Sequence, residues 1–284
     1  MTIAPTERLT EERLLAELDR LPAQQAAAVR VLYVADDPTS SASDLAAAVR
    51  VDPVLTAQVM RLANSAFYGL SGRVRSSDFA VTVLGFATVR SLAAAHAAGA
   101  IGEDAVIPVD FWAHAAASAA GAAQVCARLG VARPEAFSLG LLHDLGAAVL
   151  CRLDPAGFRE IEQRASAPDT RQAALFEKRA FGMDHAAVGG TALAAWRFPA
   201  ELVEAIATHH EPLTSTSGRW QRCLAAGQAL ATLARFPDER RAFAHDLLPK
   251  LEGDLRMGDI DPRTAFDLSR SVRTEAHAIA ASFS

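Results

Sequence analysis

The chain has 284 residues, of which 51% are hydrophobic and 21% charged, with a net charge of −5. That length allows one large domain, or one domain with an extension. The acidic balance argues against indiscriminate binding to nucleic acid.

Three scattered cysteines, Cys126, Cys151 and Cys223, argue against a disulfide framework and for thiols kept in a reducing compartment. The first residues lack the basic-then-apolar order of a secretory signal. Alanine-rich stretches are interrupted by His, Arg, Asp or Gly, so no membrane span is expected and a cytoplasmic location is.

In chain order, Leu14, Leu18 and Leu21 recur at helical spacing, and Pro22 stops or restarts that helix. Ser43-Asp44 is placed to cap a helix through Leu45 and Val49. Asp52-Pro53 begins the next, with Leu55, Val59 and Leu62 on its apolar face. Residues 64–69 read as a helix end and turn, in which Asn64 and Ser65 cap backbone groups. One helix is expected over 77–98, with Val81, Leu84, Thr88 and Leu92 on one side.

Pro108 precedes a helix from about Phe111 that is rich in Ala, Ser and Gly, a composition that permits close helix–helix approach. The apolar run 137–150 follows, with no polar face, and reads as a single buried helix. Gly182 and Asp184 mark a turn and cap ahead of a helix bearing His185. Phe198-Pro199 separates it from a helix carrying Leu202, Val203 and Ile206 into His209 and His210. Helices over about 219–235, 239–251 and 262–281 complete the chain. Strand-like alternation is nearly absent, and the fold class is all-α.

The dipeptide His143-Asp144 lies inside that apolar run. An ionised carboxylate there costs several kcal/mol or more unless a cation or hydrogen-bond donors meet it. His114 shares a face with Ser118, Gly121 and Val125; His185 with Val188 and Ala192; His209 and His210 follow Ile206 and Val203 at helical spacing. Imidazoles and a carboxylate together suit Zn, Fe, Mn or Ni, without choosing among them. A lone inward histidine is more often a hydrogen-bonded core residue, and His96, His245 and His277 take that reading or simple exposure. Arg61, Arg73, Arg75 and Arg90 read as solvating charge rather than a phosphate site, and Trp112, Trp196 and Trp220 as core anchors.

The order His114, His143-Asp144, His185, His209-His210 resembles the HD superfamily of metal-dependent phosphohydrolases. More closely, the chain is similar to the HDOD domain, the HD-related output domain of bacterial signalling proteins. The likeness runs through Leu21-Pro22, Asp52 to Leu55, Arg61 to Ser65, Ala80 to Gly85 and Phe111 to His114. It continues through Gly140 to Gly146, Phe181 to His185, Trp196 to Pro199 and His209 to Pro212. It covers about 15–235, which implies an N-terminal segment 1–14, an HDOD domain 15–235 and a C-terminal helical extension 236–284. A multi-helix HD-like bundle is the implied fold, and His114, His143, Asp144, His185, His209 and His210 are the implied metal ligands.

The sequence also departs from the catalytic relatives. The cyclic di-GMP-cleaving HD-GYP branch carries Gly-Tyr-Pro shortly after its paired histidines, and 211–218 lacks it. HD hydrolases place a closing aspartate on a later helix, where this chain has Gly227 or Gln228. A neutral side chain, or none, there weakens the pull on a cation.

The expected role is therefore a signal-transduction output or scaffolding module without appreciable catalysis. It would act through signalling partners in trans or a bound nucleotide, with no receiver or kinase domain on the same chain, and self-association stays open. The alternative is a metal-dependent phosphohydrolase acting on a nucleotide or cyclic dinucleotide such as cyclic di-GMP. A third reading, a DNA-binding regulator, rests on the short helices over 43–68, and nucleic acid is not the expected partner.

Overall fold

A computed structural model describes residues 8–19, 23–165, 170–236 and 241–283. Among them every regular element is helical, as the periodicity predicts. The expected stop at Leu21-Pro22 lies outside the described residues. The first helices are α1 (Glu11–Asp19), α2 (Ala23–Asp36), α3 (Ala42–Val49), α4 (Pro53–Ala63) and α5 (Ser77–Ala97). Helix α5 is the hub of this half and packs on α2, α3 and α4. Leu45, Val49, Leu55, Val59 and Leu62 are all buried, so the short helices that suggested a DNA reader spend their apolar faces on α5.

The cap of α3 is Ser41 rather than Ser43: its Oγ accepts from Asp44 N, and Asp44 Oδ2 accepts from Ser41 N in return. This reciprocal pairing satisfies two helix-end donors at once. Asp52 caps α4 as expected, with Oδ1 accepting from Val54 N and Leu55 N. Its Oδ2 meets His96 Nε2 at 2.8 Å, while His96 Nδ1–H donates to the Ile101 carbonyl. His96 is thus a satisfied core residue, whereas His277 is exposed; the side chain of His245 lies outside the described residues.

The expected continuous helix over 77–98 is broken at Gly85, where φ is 75° and ψ 165°. Only a residue without Cβ adopts that geometry readily, so the periodic pattern continues across a bend it does not reveal. Asn64 staples the neighbouring loop, donating from Nδ2 to Val74 O and accepting at Oδ1 from Val74 N. Arg61 and Arg90 are engaged internally, Arg61 with Ser282 O and Arg90 with Trp196 O, Arg197 O and Asp36.

The second half comprises α6 (Phe111–Val125), α7 (Arg133–Leu142), α8 (Leu145–Leu153), α9 (Pro155–Arg164), α10 (Thr170–Phe181), α11 (His185–Ala195), α12 (Ala200–Ala207) and α13 (Arg219–Ala234). Helices α14 (Arg241–Met257) and α15 (Pro262–Ala280) follow. Helix α6 is central and packs on α7, α13 and α15; α8 packs on α11, and α11 on α12.

Several of these crossings are possible because a glycine stands where two backbones meet. A Cβ on Gly121 would collide with Gly227 O, one on Gly227 would lie 2.6 Å from Ala122 N, and one on Gly140 would run into the backbone of Ser118. On the opposite side, a Cβ on Gly146 would collide with His185 O and stand 2.5 Å from Gly189 N. Small-residue contacts thereby draw α6, α7, α8 and α11 together, and with them the histidines they carry.

Two stretches, Ser77–Ala97 and Arg133–Leu153, are long and apolar enough to cross a membrane by composition. In the fold 67% and 83% of those windows are buried, and each is interrupted, at Gly85 and at His143-Asp144. They serve as core helices here.

Candidate metal centre

The run 137–150 is not one helix. Helix α7 ends at Leu142, Asp144 takes φ −99° and ψ 15°, and α8 starts at Leu145. The break takes Asp144 out of the helical register. The side chain is 20% exposed, so the aspartate expected to be buried is only partly so. His209 and His210 likewise lie beyond α12, in the turn after its last residue Ala207, not on the helix itself. Helical spacing therefore placed them on the inward side for an imperfect reason.

The structure brings all six expected residues together. His114 comes from the first turn of α6, His143 and Asp144 from the α7–α8 break, His185 from the first position of α11, and His209 and His210 from the turn after α12. Asp144 stands between two groups of imidazoles. Its Oδ2 is 3.2 Å from His143 Nε2 and 3.3 Å from His114 Nε2, and its Oδ1 is 3.5 Å from Nε2 of both His185 and His209. His210 Nε2 lies 2.7 Å from His185 Nε2, and His143 Nε2 3.1 Å from His114 Nε2.

Tautomers follow from what lies behind each ring. A backbone carbonyl only accepts, so His143 donates from Nδ1 to Gly140 O at 2.8 Å, and His209 from Nδ1 to Ile206 O at 2.7 Å. His185 donates from Nδ1 to Glu177 Oε2 at 2.6 Å. All three rings therefore turn Nε2 inward, toward Asp144. His209 Nε2 is buried without a hydrogen-bond partner among the described residues, an arrangement that costs about 1–3 kcal/mol unless something satisfies the lone pair.

Charge is distributed unevenly. Burial pushes the Asp144 carboxyl up, but the surrounding histidines, His143 foremost, outweigh it and hold the group well below the carboxylate range. Burial pulls the His185 imidazolium down, but Glu177 and then Asp144 prevail and raise it to about 9. Burial lowers His114 to about 4 against the pull of Asp144. His210 is lowered by burial and by its histidine neighbours to about 2, and His209 is lowered, mainly by burial.

The residues fit divalent metal ions. His114, His143 and Asp144 form one group and His185, His209 and His210 another, each with its ligand atoms within 4.8 Å of one another. Donors about 2.0–2.2 Å from a first-row ion sit roughly 3–3.5 Å apart, the spacing that Asp144 keeps to its four nearest imidazoles. An inward set of imidazole nitrogens around one carboxylate, with His209 Nε2 orphaned, could hold a metal ion.

Glu177 is the residue that sequence reasoning missed. It is 2% exposed and accepts from both the backbone N and Nδ1 of His185. A signal was present: Ala174, Glu177 and Phe181 are spaced along one buried helical face, and a carboxylate in the middle of such a face needs a partner.

The HDOD domain family model matches residues 21–212, and the chain belongs to that family. No curated protein matches it significantly. A candidate phosphohydrolase of Shewanella amazonensis SB2B is 27% identical, with 95% of this chain and 98% of that one covered and a TM-score of 0.71. A candidate signal transduction protein of Marinobacter aquaeolei VT8 is 25% identical with a TM-score of 0.69, and the match covers 98% of this chain but 62% of that protein. An HDOD domain protein of Geobacter sulfurreducens, 23% identical over 96% of this chain and 97% of its own, has a TM-score of 0.62 and shares the fold.

Proposed function

We propose that this protein is a cytoplasmic HDOD signalling module whose six-residue centre binds divalent transition metal without appreciable hydrolysis. In this reading it passes its state to protein partners in trans. The observation that carries it is a convergent donor set that contains a single carboxylate, Asp144. Gly227 or Gln228 falls where hydrolases of the HD superfamily carry a closing aspartate, and Gly227 has no room for any side chain, since a Cβ there would lie 2.6 Å from Ala122 N. Gln228 beside it offers a neutral amide. Asp144 is then the one carboxylate to lie among the six ligands, and it is shared between both groups.

Of the expected Zn, Fe, Mn or Ni, a shell of five imidazoles and one carboxylate suits Zn, Fe or Ni better than the harder Mn. Residues 15–235 form the signalling unit in this reading. The C-terminal helices steady it, because the Phe283 ring stacks on Trp112 at 3.7 Å and Ser282 O accepts from Arg61.

A second reading, a phosphohydrolase acting on a nucleotide or cyclic dinucleotide, is favoured by access. The side chains of Asp144 and His114 are 20% and 30% exposed, so a phosphoryl group can approach them from solvent. Bound ions would supply Lewis acidity toward such a group. Protein purified without chelator, analysed for metals and assayed with manganese or iron against cyclic di-GMP and a nucleotide panel, separates the two. Stoichiometric metal with no turnover is expected. Turnover that vanishes in Asp144→Ala establishes the hydrolase instead.

A further inference from the structure

Glu177 is a buried carboxylate that the ligand set does not use. It lies on the inward face of α10, 2% exposed, and a single oxygen, Oε2, takes the His185 Nδ1–H at 2.6 Å and the His185 backbone N–H at 2.8 Å. It is not the cap of α11, because Asp184 already accepts from Ala187 N in that role. Nor does hydrogen bonding alone require a charge there, since a glutamine carbonyl would accept both donors. An anion in such a position is expensive to bury, so its charge needs a reason.

The His185, His209 and His210 group supplies that reason. It offers three imidazole nitrogens, and Asp144 reaches it with Oδ1 while Oδ2 serves the other group. We infer that Glu177 is a positioning residue that delivers negative charge to this otherwise imidazole-built side of the centre through the His185 ring. A carboxylate behind a ligating imidazole fixes its tautomer and raises its basicity, and losing one weakens metal affinity by about 10–100-fold. The inference rests on the metal-binding reading above.

The opposite role makes the opposite prediction. Were Glu177 only the counter-ion of a protonated His185, a neutral residue there would leave His185 freer to take a metal, and affinity would hold or rise. The test is a Co2+ titration of the full, chelator-treated chain, followed by the visible absorption of the bound ion. Wild-type protein is expected to take two equivalents. In Glu177→Gln the equivalent on the His114–His143–Asp144 side should bind as in wild type, which also reports an intact fold, while the other weakens about 10–100-fold and its band shifts. Glu177→Asp, which keeps the charge, should recover most of the affinity.

Both equivalents bound normally or more tightly by Glu177→Gln would overturn the inference and leave the metal reading standing. So would a loss in Glu177→Asp as large as in Glu177→Gln. Wild-type protein that takes up no Co2+ overturns both together.

Discussion

The Cα of Gly146 lies so close to the carbonyl of His185 that a single added carbon there would overlap it. This contact joins α8 to α11 one turn away from Asp144, so the distance between Asp144 and the His185 ring is set by a residue with no side chain. Gly146→Ala must therefore push two backbones apart, at a cost near the upper end of the 1–3 kcal/mol typical of overpacking. Chemical denaturation should show that loss together with reduced metal uptake. Gly253→Ala is the control: Gly253 is exposed on α14 with nothing near its Cβ position, and the change should be neutral or stabilise by up to about 1 kcal/mol.

Metal should stabilise the fold through Asp144. An ion that binds only the folded chain adds about 2.7 kcal/mol at one hundred times its Kd. Thermal melts with added Zn2+ or Mn2+ are expected to shift upward for wild type. Asp144→Ala removes the carboxylate that faces four imidazoles, and the shift should shrink to a small fraction. An equal shift in both proteins would place the bound ions elsewhere.

Without metal, stability should peak near pH 6.5. His114 and His210 are lowered to about 4 and about 2 in the fold, so their contribution is present above the unfolded value of about 6.5 and fades as pH falls below it. His185 is raised to about 9, so its contribution is full below about 6.5 and fades as pH climbs toward 9. Melting temperatures of chelator-treated protein between pH 4 and 9 should trace both limbs. His210→Gln should flatten the acidic limb and spare the alkaline one.

Phe283 and Trp112 tie the end of the chain to α6, with ring planes 8° apart. Phe283→Ala should cost about 1–2 kcal/mol, of which aromatic pairing beyond simple burial accounts for about 0.5–1.5. Trp112 keeps its bond from Nε1 to Ala100 O, so its fluorescence should report altered polarity on one face without unfolding. An unchanged spectrum and stability would show the stack to be incidental.

Much of this protein is readable from residue order. The helical period, the proline and aspartate starts at Asp52-Pro53 and the turn at Gly182 to Asp184 match the observed elements. The six converging residues were identifiable because histidines on apolar faces need partners and because their order resembles a known family. Bends were not readable. Gly85 and Asp144 interrupt helices whose apolar periodicity runs on unbroken, since periodicity reports which face is buried and not the axis along which it is buried.

The sequence by itself determined the fold class and the six candidate ligands, because local hydrophobic spacing and side-chain chemistry are properties of each residue and its near neighbours. Only the tertiary structure decided that Asp144 stands between two imidazole groups, that Gly227 is sealed against α6, and that Glu177 backs His185 from another helix. Those relations depend on how closely helix backbones approach, which is set where glycines from distant parts of the chain meet, and no local pattern encodes such a meeting.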